Sequence, residues 1–179
     1  MTLHQATYIT ASLLIAFGLP FFLNPVATQP LANRLPRSKI TAGITMVLGT
    51  AWFIMRHVAN LSESDFGNYK FLIILVSLVI LITSFLYLMD FLAVRGASIL
   101  TLLFAREALD AAYLQVPESR LFMVSVIYLA IIAALYLSAW PYRLRDFFEW
   151  LFRVDSRSRI LGGTMVTYGI LLFVLAFAY

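Results

Sequence analysis

Apolar residues run along this chain in blocks of about twenty, separated by short polar stretches that hold most of the charges. A block of that length matches the ~20 residues a helix needs to cross a hydrocarbon core of about 30 Å. Six blocks read as helices, at about 5–23, 40–58, 71–89, 97–116, 121–140 and 160–178. Proline marks the breaks. Asn24-Pro25 ends the first helix and Pro141 the fifth, because proline lacks an N–H and pushes its predecessor out of the α region. The expected fold is an all-α integral membrane protein with six transmembrane helices in one transmembrane domain. The helices form three consecutive helical hairpins, about 1–60, 61–119 and 120–179.

The longest polar connection carries a second periodicity. Leu144, Phe147, Phe148, Leu151 and Val154 fall on one face of a helix, and most of the charges fall on the other. This predicts an interfacial amphipathic helix over about 143–154, with Phe147, Phe148, Trp150, Leu151 and Arg153 at the headgroup level. Trp52, Trp140, Tyr142 and Tyr179 read as further interfacial anchors.

Residues 36–54 align without gaps to residues 156–174. Arg37, Ser38, Ile40, Gly43, Gly49 and Phe53 match Arg157, Ser158, Ile160, Gly163, Gly169 and Phe173. Each copy follows an apolar helix, a proline break and an amphiphilic linker. The pattern predicts a parallel internal repeat relating the first and third hairpins. The unit is similar in layout to small two-helix bacterial inner-membrane proteins, which with the short loops implies a bacterial cytoplasmic membrane.

Composition agrees with the pattern. The chain of 179 residues is 62% hydrophobic and 12% charged, against about 45–50% and about 25% in soluble domains. The net charge of +4 comes from loop residues that orient helices, so no nucleic-acid partner is implied. With six crossings the loops on one side hold nine Lys and Arg and those on the other hold three. If 97–116 did not cross, the count would be six against seven, and the bias would vanish. The six-helix reading therefore puts both termini outside. There is no cysteine, which removes thiolate chemistry and disulfides.

The stretch 97–116 carries Arg106, Glu107 and Asp110, which share one helical arc with Tyr113. A charge near a helix centre costs about 2.5–3.5 kcal/mol to insert, while a large apolar residue returns about 0.3–0.6. The arc is therefore expected to face protein near mid-membrane. Such residues either pair to fix packing or a partner, or bind a proton or ion. Gly43, Gly49, Gly163 and Gly169 are expected at close helix contacts. His4 and His57 could ligate haem, but they lie at helix ends, where haem sites in bundles do not usually sit; no cofactor is implied otherwise. The chain contains no HExxH, GxSxG or phosphate-binding glycine loop, so no catalytic residue is assigned. The expected function is a non-enzymatic accessory or scaffolding subunit of a larger membrane complex, meeting the lipid bilayer and other subunits or further copies of itself. The alternative is a small transporter or channel built on the Arg/Glu/Asp cluster.

Overall fold

A computed structural model describes residues 1–62, 66–87 and 90–177. The expected helix ends at Met89 and Ala178, and the anchor Tyr179, lie outside the described residues. Eight α-helices follow one another, and among the described residues there is no strand: α1 (Leu3–Leu23), α2 (Pro25–Arg34), α3 (Lys39–Phe53), α4 (Lys70–Tyr87), α5 (Leu92–Ala112), α6 (Arg120–Ala139), α7 (Tyr142–Phe152) and α8 (Asp155–Ala176). A 3-10 turn, Leu35–Arg37, precedes α3, and a π-helical turn, Ile54–Val58, extends it.

Local chemistry explains the boundaries. Thr2 and Gln5 form a reciprocal capping box: the Gln5 N–H donates to the Thr2 hydroxyl at 3.3 Å and the Thr2 N–H to the Gln5 side chain at 3.1 Å. α1 thus begins two residues before the apolar run does. Asn24 ends α1 and caps α2 by accepting from the Ala27 N–H, with Pro25 at the first helical position, where its missing N–H costs nothing. The Ser38 hydroxyl caps α3 by accepting from the Thr41 N–H at 3.2 Å.

Among the described residues, four helices are long and apolar enough to cross a membrane: Leu3–Leu23, Gly67–Tyr87, Arg120–Ala139 and Asp155–Ala176. The bent pair Pro25–Arg37 and Lys39–Val58, which turns by 63°, makes a fifth if it is one span. The chain is a multi-pass membrane protein with four or five candidate spans, where six were expected. α5 falls short on composition because it holds Arg95, Arg106, Glu107 and Asp110. The linker 26–39, expected as a loop, is helical over most of its length: α2 runs to Arg34 and the 3-10 turn Leu35–Arg37 follows.

Neighbours in sequence are not the closest neighbours in space. α1 lies antiparallel along α8, the most extensive helix–helix contact among the described residues; α5 packs on both α3 and α6. One core joins Leu3, Ala6 and Ala11 of α1, Ala105, Ala108, Ala111 and Ala112 of α5, Met123 and Ile127 of α6, and Leu172 of α8. A second joins Ala42 and Met46 of α3 to Leu92 and Ala93 of α5. α5 threads both cores, although it is far from the most apolar helix. α4, a nearly unbroken apolar run, is mostly exposed: Ser84 is its one buried residue among those described, and Leu81 and Phe85 pack half-buried against the second core. In lipid, hydrophobicity does not sort residues inward; small side chains do, because they let backbones approach.

The glycines sharpen this point. A Cβ on Gly162 would lie 2.5 Å from the Phe22 backbone nitrogen and 2.6 Å from the Gly18 carbonyl oxygen. One on Gly96 would run into the Thr45 hydroxyl. Gly49 and Gly169 also sit at tight contacts, against Ile99 and Ile15. Gly163 touches only the Phe22 ring at ordinary distance. Gly43, expected at a contact, has nothing within 4 Å, because its face of α3 turns away from α5.

Candidate functional site

The charged arc of α5 sits in the last two turns of its helix. The helix starts at Leu92 instead of Ala97 and ends at Ala112, so Arg106, Glu107 and Asp110 lie near its end and not its centre. Tyr113 is past the end, with extended backbone and an exposed ring, and does not continue the arc.

α3 and α5 run parallel and in register. Thr45 meets Gly96, Gly49 meets Ile99 and Arg56 meets Glu107, an offset of 50 or 51 residues at each point. At the far end α3 widens into the π-helical turn, where the Ala59 N–H donates to the Ile54 carbonyl at 2.9 Å. Single π turns recur at functional positions because the wider turn re-aims side chains. Here the turn carries Arg56, which binds Glu107 with two hydrogen bonds. Nε donates to Oε1 at 2.9 Å and Nη2 to Oε2 at 3.1 Å. The Asn60 amide donates to the Arg56 carbonyl at 2.8 Å and holds the end of the turn.

The arc divides in two. The Glu107 side chain is only 15% exposed and turns inward to Arg56. Arg106 and Asp110 are 62% and 73% exposed and face outward, 3.9 Å apart. Of the three residues expected to face protein, Glu107 alone turns to protein within this chain. The cause is the helical wheel: the buried stripe of α5 is Ala105, Ala108, Ala111 and Ala112, and Arg106 and Asp110 lie across from it.

These residues line a polar cleft of about 420 Å³ with Met1, His57 and Asn60. The His57 ring lies against Phe53, with centroids 6.0 Å apart. Its Nε2 is enclosed and has no hydrogen-bond partner among the described residues. His4 is exposed near the start of α1, at the capping box. Among the described residues no three His, Asp or Glu side chains converge on a position that could hold a metal ion. Arg56, His57, Asn60 and Met1 were absent from the sequence-based site. Arg56 was visible only as a charge at a helix end, since its partner is 51 residues away.

At the opposite end of the bundle α7 forms where the amphipathic periodicity falls. Leu151 and Phe152 are buried. Phe148 and Phe152 stack on Phe21 of α1, with centroids at 6.4 and 5.8 Å. Phe147, Trp150 and Arg153 stay exposed. The Arg157 guanidinium lies 4.6 Å above the Trp150 ring and donates to the Trp150 carbonyl. α7 thus spends much of its apolar face on protein, against α2 and α8.

No protein-family model matches this chain, and no curated protein or solved structure matches it either.

Proposed function

We propose that the chain is a non-enzymatic accessory or scaffolding subunit of a larger membrane complex, crossing a bacterial cytoplasmic membrane six times with both termini external. The six-span reading is supported by the register of α3 and α5. A helix lying parallel beside α3 from Gly96 to Glu107 travels the same depth that α3 does. Its charges then fall at the membrane surface, where they cost much less than at mid-depth.

The scaffold reading rests on the division of the charged arc. The inward carboxylate is already bound by Arg56, so the chain's own contribution is a lock between α3 and α5. The outward pair, Arg106 and Asp110, is left to whatever lies beside the helix. The interior is in keeping with this view: buried Thr7, Thr10 and Ser84 donate to carbonyls of their own helices.

Two parts of the chain also share a layout that supports a parallel repeat. Long, short and long helices follow each other in α1–α3 and again in α6–α8. The breaks at Asn24 (φ −143°, ψ 73°) and Trp140 (φ −124°, ψ 71°) have the same backbone shape. The matched serines differ: Ser38 caps α3, while Ser158 lies inside α8 and donates to the Phe21 carbonyl at 3.3 Å.

A second reading, a small transporter or channel, draws on the enclosed, unpartnered Nε2 of His57 beside the Arg56–Glu107 pair. The two readings separate in one experiment. Asp110→Asn with Arg106→Gln is expected to lower recovery of co-purifying subunits in mild detergent, and wild type in liposomes is expected to carry no proton or solute flux. Wild-type flux that the double variant abolishes, with recovery intact, would reverse the choice.

A further inference from the structure

A second cavity lies on α8, away from the charged cleft. It is a laterally open groove of about 900 Å³, within the size range of small-molecule sites. Its two ends differ. At the start of α8 it is bordered by Asp155, Ser156 and Arg159; from there Ile160, Gly163 and Leu171 continue it along a mostly apolar wall that also carries the hydroxyls of Thr164, Thr167 and Tyr168, with Phe22 of α1 on one side. From Arg159 to Leu171 is about 18 Å of helix at ~1.5 Å per residue. That is close to half of a ~30 Å hydrocarbon core. The groove therefore covers one leaflet, with its charged end at that leaflet's surface. Gly163 gives it depth, and Tyr168 bridges to α6 by donating to the Phe122 carbonyl at 3.1 Å.

The charges at the mouth are complementary to a particular ligand. Asp155 and Arg159 are one turn apart on α8, yet they form no ion pair with each other, and neither has an ion-pair partner among the described residues. One cation and one anion, side by side above an apolar slot one leaflet deep, match a phosphate and an ammonium above an acyl chain. We infer that this groove holds one phospholipid with a zwitterionic, primary-amine headgroup, its phosphate on Arg159 and Ser156, its amine on Asp155, and one chain along Gly163 to Leu171. A purely anionic headgroup would meet Asp155 unfavourably. A trimethylated amine would offer that carboxylate no hydrogen bond. The site does not depend on whether a partner subunit docks at the other end of the molecule.

The test uses the full chain in phosphatidylcholine vesicles doped with one photoreactive lipid at a time, bearing an ethanolamine, choline or glycerol headgroup, with labelled residues mapped by mass spectrometry. The ethanolamine lipid is expected to label the Gly163–Leu171 face about two- to fivefold more than the others, the range that a partly exposed ion pair supplies. Asp155→Asn should reduce it to the choline level, and Arg159→Gln should lower labelling by all three. Gly163→Phe, whose Cβ would meet only the Phe22 ring and at ordinary contact distance, should fill the groove and remove the labelling with the unfolding midpoint unchanged. Equal labelling by the three lipids, preference for the glycerol headgroup, or labelling that survives Gly163→Phe would each overturn the inference. If Gly163→Phe does not fold, the headgroup preference and its loss in Asp155→Asn decide the matter.

Discussion

Replacing Gly162 by alanine adds one methyl group at the place where α1 and α8 come closest. Its Cβ would sit 2.5 Å from the Phe22 nitrogen, 2.6 Å from the Gly18 oxygen and 2.9 Å from the Phe21 carbonyl carbon. All three neighbours are backbone, so no side chain can swing aside. Ordinary contacts need about 3.5 Å, so the helices must part by about 1 Å. A gap of that size forfeits about a quarter to a half of each atom pair's ~0.1–0.2 kcal/mol. Over roughly 60 such pairs this comes to about 1.5–6 kcal/mol. Alanine returns up to about 1 kcal/mol through helix propensity. The net expected loss is about 0.5–6 kcal/mol, a span that contains the ~1–3 kcal/mol usual for overpacking. Unfolding in mixed detergent micelles, followed by tryptophan fluorescence, measures it. Gly43→Ala is the control: nothing lies within 4 Å of that Cβ, so its stability should be unchanged or slightly higher. If the two variants unfold alike, α1 and α8 do not meet at Gly162.

Other predictions follow from single features. Glu107→Gln and Arg56→Gln should each lower the unfolding midpoint, with Arg56→Gln leaving the less exposed partner, the Glu107 carboxylate, unmatched, and Arg56→Met with Glu107→Met should recover part of the loss; double-variant values that simply add would mean the pair is uncoupled. Leu114 is exposed with φ of 55°, so Leu114→Gly should stabilise by about 1 kcal/mol; a destabilised variant would refute a left-handed residue there. Leu151→Ala should cost about 2–5 kcal/mol and loosen α7, which would appear as lost cross-linking between cysteines placed in α2 and α7 of this cysteine-free chain. Reporters in 113–119 and at the C-terminus should both appear on the external side; a cytoplasmic signal from either removes the six-span arrangement.

Much of the helical layout can be read from run length and period. α1, α4, α6 and α8 stand out as apolar blocks, and α7 as a stripe at helical spacing. α2 was missed because two prolines and no apolar stripe disguise it, although Asn24 followed by Pro25 is a helix start as well as a stop. The close contacts were only partly legible. Gly18 and Gly162 were overlooked, yet Ala11 and Gly18 are seven apart on α1, as Gly162 and Gly169 are on α8. Such heptad spacing signals a paired seam only when both helices are compared. The charged cleft was the least accessible part. Spacing along α5 shows that Arg106 and Asp110 can meet, but which residue turns inward depends on the small-residue stripe, and the Arg56 contact depends on the register with α3.

The pairing of α1 with α8 also governs the order in which the molecule can be assembled. Phe21 and Ser158, which bond across this contact, are separated by 137 positions in the chain. At about 5–20 residues per second, synthesis leaves α1 in the bilayer for roughly 7–27 s before its partner arrives. During that interval the backbone at Ala11 and Gly18 is an open seam. Two nascent chains inserted side by side could each lend α8 to the other, giving an interlocked dimer from the same contacts. Fast, isolated insertion favours closure within one chain, so crowding at the insertion site becomes a determinant of its oligomeric fate.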